Sequence, residues 1–416
     1  MDIKKLAEQE KDTIVALRRH FHENPEVSTK EFRTMDYIEE FLGKIGIQSV
    51  RVPNGGILGF LDSGKPGWTV LMRADIDALP IQEDPENLVQ KKVCVSKNEG
   101  VMHACGHDGH MAMLLTEAKI LSEHKEDWEG KIIFMFEQAE EMGEGGIPEM
   151  LRYLRDEKIH IDNCFGTHVI WHLPAGKVGL LYGTAMAGAY FFRIRIHGKE
   201  GHGSRPDMAN SPIECFVSIA SEIRAYRMNK ADPEENMTYS LGYVKAGNSP
   251  NIIPDELEFS GTARCTRNAD GLAFRDTLHE LTESMARVYG CTAEFVEDRY
   301  FPATVNNKEC VALARRVVTE ALGRDALDEN CPMWMASETF GLTESTYPGC
   351  FMFTGIRDDK LGSGSPHHTA KFDIAEDGLV TGVAAALACV TAVLREKPDT
   401  PSFRKNDLEE MLKLVN

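Results

Sequence analysis

One short segment of the chain holds an unusual number of side chains that can bind metal ions. "GVMHACGHDGHMAM" (100–113) contains three histidines, one cysteine and one aspartate in fourteen positions, and Cys105 and His107 flank a single glycine. Divalent metals such as zinc bind cysteine thiolate, histidine imidazole and carboxylate, and a catalytic site keeps one coordination position open. Because a tight turn would let Cys105 and His107 reach one ion, this segment predicts part of a metal site.

A second segment places two carboxylates side by side after a very apolar stretch. In "FEQAEEMGEGG" (136–146), Glu140 and Glu141 are adjacent. Glu141, His168 and one histidine of "SPHHTAKFD" (365–373) would complete a ligand set. The alternative interpretation of the glutamate pair is an exposed helix N-terminus, where the helix dipole favours carboxylates.

The other histidines are not predicted to be ligands. His103 and His110 fit a loop and a helix cap, and His20 and His22 of "RRHFHENPE" fit structural roles. Cys105 is different: a cysteine in a core is usually an inert small hydrophobe, whereas this one lies in a glycine loop rich in histidine.

Four apolar stretches must position these side chains. They are continuous runs without alternation, which is typical of strands buried on both faces, and helical patterns lie between most of them. The runs are "TVLM" (69–72), "KIIFMF" (131–136), "NCFGTH" (163–168) and "GCFMFTG" (349–355). This pattern predicts a mostly parallel α/β sheet.

The unusual polar residues follow these strands in chain order, and His168 ends the third one. In open α/β sheets, ligands bind beyond the carboxyl ends of the strands. Position alone therefore predicts one common site for Asp75, Asp77, Glu140, Glu141, His168, His367 and His368.

The middle of the chain changes character. "AYFFRIRIHG" (189–198) alternates apolar and charged residues, as an antiparallel strand with one solvent-facing side does. Helix and strand patterns follow in the order βαββαβ, which is the ferredoxin-like arrangement. We therefore predict a discontinuous α/β domain, 1–182 and 299–416, interrupted by a second domain at 183–298.

Composition excludes several classes of function. The 416 residues are too many for one ordinary core, and 46 Lys and Arg against 65 Asp and Glu give a net charge of −19. Such an acidic surface disfavours nucleic acids and anionic membranes as partners. We expect no signal peptide, and the longest apolar run (379–394) is shorter than the ~20 residues of a membrane span, so it predicts a buried helix. The ten dispersed cysteines predict reduced thiols in a cytoplasmic protein.

Taken together, the motifs resemble the M20 family of metallopeptidases and amidohydrolases, in particular its branch of N-acyl amino-acid amidohydrolases. The resemblance runs nearly from end to end and rests on eight segments in the family's order. They are "RRHFHENPEVSTKE", "RADIDALP", "MHACGHDGH", "QAEE", "GTHV", "HGKEGHGSRPD", "GNSPNIIPDELEFSGTAR" and "HHTAKFD". The resemblance implies an αβα metal-binding catalytic domain interrupted by a lid domain that commonly dimerises.

The resemblance also implies a role for each matching residue. The residues that match metal ligands are Cys105, His107, Glu141, His168 and His368. His368 matches better than His367, the alternative, because it precedes Phe372 by four positions as in the family's pattern.

Four further residues match groups that act on the substrate or on a ligand. Glu140 matches the catalytic carboxylate, and Asp77 matches a group that orients a metal ligand. His202 and Asn251 match lid residues that polarise the scissile carbonyl and hold the substrate, often across a dimer interface.

These matches imply a hydrolase that cleaves the amide bond of a small N-acyl or N-aroyl amino acid, with one or two divalent ions (Zn, Mn, Co or Ni). They also imply a homodimer formed through the lid. Glu137 and Gln138 stand where the family usually has Gln-Pro, "SETF" (337–340) lacks the usual acid, and Ala370 replaces a proline. Two alternatives stay open: hydrolysis of another C–N bond, such as that of an aryl amine, and a thiol hydrolase with Cys105 as nucleophile.

Overall fold

The computed structural model describes residues 1–143 and 145–415. The helices are α1 Ile3–Gln9, α2 Lys11–Glu23, α3 Phe32–Lys44, α4 His107–Glu123, α5 Ile147–Asp156, α6 Pro212–Asn229, α7 Asn268–Val288, α8 Lys308–Leu322, α9 Phe340–Thr346, α10 Asp377–Glu396 and α11 Leu408–Leu414. The strands are β1 Gln48–Val52, β2 Gly56–Asp62, β3 Thr69–Asp75, β4 Lys131–Glu137, β5 Asn163–Pro174, β6 Val178–Gly179, β7 Gly183–Met186, β8 Gly188–His197, β9 Gly201–His202, β10 Met237–Ala246, β11 Ile252–Ile253, β12 Glu256–Cys265, β13 Thr292–Phe301, β14 Thr304–Asn306, β15 Leu327–Asp328 and β16 Gly349–Arg357.

The chain forms two compact units, of which the first is discontinuous. The first unit comprises Met1–Ala185, Val305–Met333 and Leu342–Asn406, and the second contains Met186–Thr304, Trp334–Gly341 and the segment that begins at Asp407. The main inserted segment thus begins and ends a few residues later than the predicted 183–298. Its end lies later because the backbone N–H of Ala303 donates to the side chain of Asn268, within the second unit.

The first unit is built on an eight-stranded sheet in the order β1-β2-β4-β3-β5-β16-β6-β15. The pairs β3–β4, β3–β5 and β5–β16 are parallel, whereas β1 and β2 add an antiparallel edge. In β3, β4 and β16 nearly every successive residue is buried, so both faces of the sheet are covered. The prediction of a mostly parallel α/β sheet is confirmed.

The third predicted strand is longer than its apolar run suggested. β5 continues to Pro174, so His168 lies inside the strand and not at its end. The pairing of β5 with β3 stops at Gly166, while its pairing with β16 continues through Ile170. By this register His168 lies level with Asp75, the last residue of β3, at the end of the sheet where the site was predicted.

Helix α10 forms part of the core of the first unit. It packs against α8, α4 and β16, and nearly all of its apolar residues are buried. Its length and composition would suit a membrane span, but 83% of its most apolar window is buried inside the protein. The predicted buried helix at 379–394 is confirmed as this core helix.

The second unit is an antiparallel sheet in the order β10-β12-β8-β13, covered by α6 and α7. Its elements follow in the predicted βαββαβ order. Its core is made of apolar side chains that alternate along the strands, as in β8, where every second residue is buried over most of its length. This alternation is what the sequence 189–198 predicted for a strand with one wet face.

Candidate metal centre

The candidate site lies in the first unit, where three parallel strands deliver side chains to one edge of the sheet. Asp75 ends β3, Glu137 ends β4, and the two residues pair in register. The loops that leave these strands carry Asp77 and the Glu140–Glu141 pair. Residues that are far apart in the sequence are thus neighbours because of the topology of the sheet.

Gly106 shapes the turn that presents Cys105 and His107. Its φ is +95°, and a Cβ on this residue would lie 2.3 Å from Cγ2 of Val169. Only glycine fits such a position without strain. Helix α4 begins at His107, so this side chain is fixed by the first turn of the helix while Cys105 is fixed by the loop before it.

The five predicted ligands belong to two overlapping clusters. The donor atoms of Cys105, His107 and His168 lie within 4.8 Å of one another, as do those of Cys105, Glu141 and His368. Sγ of Cys105 is 3.5 Å from Nε2 of His168, and Nε2 of His368 is 3.2 Å from Oε1 of Glu141. Because the clusters share Cys105, this arrangement fits one ion or two adjacent ions.

Glu140 lies beside these donors. One of its oxygens forms a third group with donor atoms of His107 and Glu141, again within 4.8 Å. The glutamate pair belongs to a single 3₁₀ turn, Glu140–Met142, and both side chains are half-buried. This arrangement differs from the exposed helix N-terminus that was the alternative interpretation.

Asp77 orients His107 and the turn that carries Glu141. Nδ1 of His107 lies 2.9 Å from the backbone oxygen of Asp77 and 3.1 Å from its Oδ1, so Nε2 points into the cluster. Oδ2 of Asp77 accepts hydrogen bonds from Oγ of Ser28 (2.6 Å) and from the backbone N–H of Glu141 (3.1 Å).

Two buried atoms of the cluster have the surroundings expected of metal ligands. Among the described residues, neither Nε2 of His107 nor Oε1 of Glu141 makes a hydrogen bond, although Oδ2 of Asp75 lies 3.4 Å from the first atom and Nε2 of His368 lies 3.2 Å from the second. The two atoms lie 3.9 Å apart. Buried polar atoms are normally satisfied, so a pair like this one calls for a further partner. A cation between them fits the donor chemistry, since thiolate, imidazole and carboxylate together suit borderline divalent metals.

His110 has a role that differs from the predicted helix cap. It lies inside α4, with Nδ1 2.5 Å from Oδ1 of Asp75, while its Nε2 accepts a hydrogen bond of 2.9 Å from the backbone N–H of Val169. Both ring nitrogens are engaged, so His110 braces the strand that carries His168. Burial opposes ionisation of Asp75, but its contacts with His107, His110 and Arg73 hold its pKa well below the ordinary value.

The two histidines of the C-terminal motif point in different directions. His368 has a φ of +61°, is half exposed, and offers its Nε2 to the cluster. His367 is buried, and its ring packs against the rings of His168 (centroids 5.3 Å apart) and Phe372 (4.8 Å). His368 therefore remains our predicted last ligand.

A buried carboxyl group holds the residue just before Glu140. Oε1 of Glu31 accepts a hydrogen bond of 2.8 Å from the backbone N–H of Ala139, which has a φ of +56°. Oε2, the other carboxyl oxygen of Glu31, has no hydrogen-bond partner among the described residues. Burial and the nearby Asp77 carboxylate raise the pKa of Glu31 to about 7.

Glu137, one of the departures from the family pattern, is paired with a buried arginine. Nε and Nη2 of Arg73 both donate to Oε2 of Glu137, and Nη1 donates to Asp75 at 2.9 Å. The second oxygen of Glu137 accepts from the backbone N–H of Ile147 at the start of α5. The carboxylate is therefore neutralised locally and closes the base of the loop that carries Glu140.

The second unit brings its two predicted residues together. The short pair of β9 and β11 sets His202 opposite Ile252, and the backbone N–H of Gly203 donates to the oxygen of Asn251 at 2.8 Å. Nδ1 of His202 accepts from the N–H of Ser204 at 3.1 Å. A neutral His202 therefore carries its proton on Nε2, where it can serve as a hydrogen-bond donor.

Sequence reasoning missed the residues that hold the ligands in place. Ser28 and Glu31 lie in "RRHFHENPEVSTKE" and Arg73 lies in "RADIDALP", two motifs that matched the family but received no role beyond Asp77. A charged residue between apolar neighbours, as in the stretch 69–76 around Arg73, is the signal that could have identified one of them, because an isolated charge inside a buried strand needs a partner.

The fold and donor set suit a metal-binding protein of the mixed α/β class, and comparison with known proteins gives its family. The model of "Peptidase family M20/M25/M40" matches residues 71–392. Thermostable carboxypeptidase 2 of Saccharolobus solfataricus is 36% identical over 90% of this chain and 93% of its own length. The N-acyl-L-amino acid amidohydrolase of Geobacillus stearothermophilus is 36% identical over 74% of this chain and 82% of its own length.

A solved structure agrees with these relatives. The YXEP protein of Bacillus subtilis, described as a dinuclear metal binding peptidase of the M20 family, superposes with a TM-score of 0.74 at 28% identity, over 93% of this chain and 99% of that one. The chain therefore belongs to peptidase family M20/M25/M40. It is a metal-dependent amidohydrolase, as the motifs predicted.

Proposed function

We propose that this enzyme hydrolyses the amide bond of a small N-acyl or N-aroyl amino acid. The observation that carries the proposal is the convergence of donor atoms from four separate parts of the chain, with the carboxylate of Glu140 beside them. The proposed metal ligands are Cys105, His107, Glu141, His168 and His368.

The donor set also supports the choice of cofactor. A thiolate with imidazoles favours zinc, and the carboxylates admit manganese, cobalt or nickel, in one or two positions. When bound, such an ion acts as a Lewis acid that polarises a carbonyl group and makes water acidic near neutral pH.

The protein's own side chains perform the proton transfers. Glu140 takes a proton from water as the water oxygen adds to the carbonyl carbon, and it passes this proton to the leaving nitrogen as the C–N bond breaks, so that an acid and an amine are released. Asp77 keeps His107 in the orientation that the site needs. The family resemblance implies that His202 polarises the scissile carbonyl, where negative charge develops, and that Asn251 holds the substrate.

The relatives support an acylated amino acid as substrate. One of them is named an N-acyl-L-amino acid amidohydrolase and another a carboxypeptidase, and both names describe an amide bond next to an amino acid. The changed residue Glu137 does not argue against this substrate, because Arg73 neutralises it inside the sheet. Cleavage of an aryl amine C–N bond is the alternative that a substrate panel must include.

The environment of Cys105 argues against a thiol hydrolase. Burial and the nearby Glu141 carboxylate raise the pKa of the Cys105 thiol well above its ordinary value, whereas a nucleophilic cysteine needs a lowered one. Cys105 is therefore proposed as a ligand, a role in which a cation stabilises the thiolate.

Surface features of the second unit support a homodimer formed through this lid. Val217 and Met228 on α6 are 54% and 83% exposed, and Val244 on β10 is 49% exposed. β10 is an edge strand of this sheet, so it presents unpaired backbone groups to a partner, and a dimer that covers these side chains would remove apolar surface from water. All ten cysteines are free and buried, which supports a reducing, cytoplasmic location.

The proposal is tested with the variant Glu140→Gln and the matched control Glu157→Gln, which changes an exposed carboxylate on the same unit. N-acetyl, N-benzoyl and indole-acyl amino acids, a peptide and an aryl amine are assayed with zinc, manganese, cobalt and nickel, and metal content is measured on the same samples. We expect Glu140→Gln to keep its metal and lose ~10²-fold or more of its turnover of acyl amino acids, because general acid–base catalysis contributes ~10²–10⁴-fold. Unchanged turnover at full metal content would overturn the proposal.

A further inference from the structure

A fully buried lysine touches the segment that carries the last predicted ligand. The side chain of Lys92 is 0% exposed, although lysine is almost never fully buried unless it is paired. Its Nζ donates to Oε1 of Glu83 at 2.9 Å and to the backbone oxygen of Ala370 at 2.9 Å. Ala370 lies two positions after His368, and its oxygen also accepts from the backbone N–H of Asp84 at 3.1 Å.

The pairing continues away from Lys92 through a row of buried groups. Nε2 of His22 lies 2.9 Å from the same Oε1 of Glu83, and Nδ1 of His22 lies 2.7 Å from Oδ2 of Asp108. Arg18 lies beyond, with Nε 3.0 Å from Asp108. Positive and negative groups therefore alternate along a buried row of four residues, Lys92, Glu83, His22 and Asp108, which we call the charge row.

The charges of this row stabilise one another. Burial opposes ionisation of Glu83, but its contacts with His22, the backbone of Ser96 and Lys92 hold its pKa at about 2. Burial and Arg18 oppose protonation of His22, yet Asp108 and Glu83 raise its pKa above the ordinary value. A buried row in which each charge has an opposite neighbour resists displacement, because moving one member weakens the pairing of the next in a medium of low dielectric constant.

The two ends of the charge row lie next to two different predicted ligands. Asp108 follows His107 in the first turn of α4, and Lys92 reaches the backbone just after His368. The backbone N–H of His368 donates to the oxygen of Ala104 at 2.9 Å, and the segment is also held at Ala370 by the N–H of Asp84. The contact with Lys92 adds a buried, charged donor to these backbone bonds.

We propose that Lys92 is a positioning residue for the metal site: through the charge row it holds the segment of His368 against the segment of His107, so that the last ligand is in place before an ion binds. This inference rests on the proposed ligand set. Groups that support a metal ligand without touching the ion typically change metal affinity by ~10–100-fold when they are removed.

The experiment compares Lys92→Met with Lys91→Met, the exposed neighbouring lysine, in the full-length protein. Metal-free samples are titrated with Zn²⁺ by calorimetry, and their thermal unfolding is followed without metal. We expect the most weakly bound Zn²⁺ ion to bind ~10–100-fold less tightly to Lys92→Met than to the wild type. Lys91→Met should bind Zn²⁺ as the wild type does. Wild-type affinity in Lys92→Met would overturn the inference.

A second set of variants covers the case in which Lys92→Met does not fold. The double variant Glu83→Gln/Lys92→Met removes both charges but keeps a side-chain oxygen at position 83 that His22 can contact. It should show the same loss of Zn²⁺ affinity as Lys92→Met. Lys92→Met is also combined with His368→Ala. If Lys92 acts through His368, the double variant loses as much Zn²⁺ affinity as His368→Ala alone. Additive losses of affinity would overturn the inference. If His368→Ala binds Zn²⁺ like the wild type, the ligand assignment of the proposed function fails instead.

Discussion

A single carboxyl group in the core should make the stability of the protein depend on pH. Glu117 lies on α4 and is 2% exposed, and its Oε1 has no hydrogen-bond partner among the described residues. Burial alone raises its pKa from 4.5 to about 8. In the folded chain Glu117 is thus protonated at neutral pH, whereas in the unfolded chain it is ionised.

The sign and size of the effect follow from this difference in pKa. At a pH below the pKa of Glu117 in the unfolded chain, the carboxyl group is protonated in both states and the folded state has its full stability from this group. As the pH rises from there to the pKa of Glu117 in the folded chain, the group ionises only in the unfolded state, which is thereby favoured. Each pH unit in that window is worth about 1.4 kcal/mol, so between about pH 5 and about pH 8 the group lowers the free energy of unfolding by about 4 kcal/mol.

The test is the variant Glu117→Gln, which has nearly the same shape but does not titrate. Urea unfolding of the wild type, of Glu117→Gln and of the control Glu123→Gln, an exposed glutamate on the same helix, is measured from about pH 5 to about pH 9. The free energy of unfolding of Glu117→Gln minus that of the wild type should rise by about 4 kcal/mol over this pH range. The same difference for the control Glu123→Gln should not change with pH. A difference for Glu117→Gln that does not change with pH would refute the reasoning.

Three further predictions concern the site. Glu31→Ala removes the acceptor for the backbone of Ala139 and should lower kcat by ~10–100-fold, whereas Glu31→Gln keeps an oxygen there and should retain most activity in steady-state assays. Arg73→Met removes the buried cation that Asp75 and Glu137 share and should lower the free energy of unfolding by about 3–5 kcal/mol in urea, with the exposed Lys131→Met near zero. Chelation by EDTA or phenanthroline should abolish turnover and lower the melting temperature, and added zinc or manganese should restore both. Turnover that survives chelation but stops with iodoacetamide would favour the thiol hydrolase instead.

Much of the fold could be predicted because its signals are local. The continuous apolar runs at 131–136 and 349–355 identified buried strands, and the alternation at 189–198 identified a strand of the second unit with one wet face. The end of β5 could not be predicted in this way. Its pairing with β16 carries it past His168 into a stretch where tryptophan and histidine interrupt the apolar pattern.

The candidate site was predictable only in part, since donors can be recognised by type but most of the residues that support them cannot. The glycine between Cys105 and His107 is a local signal for a tight turn, and the structure shows that turn. By contrast, the bond from Lys92 to Ala370 joins residues 278 positions apart, and that from Glu31 to Ala139 joins residues 108 apart. No spacing or periodicity in the sequence encodes such pairs.

Metal-edge X-ray absorption of the zinc-loaded protein tests the central claim most directly. If the proposed ligands hold the ion, the wild type should show one sulfur neighbour at about 2.3 Å together with nitrogen and oxygen neighbours at about 2.0–2.2 Å, and Cys105→Ser should lose the sulfur signal only. A zinc spectrum of the wild type without a sulfur neighbour, or one that Cys105→Ser leaves unchanged, would contradict the account.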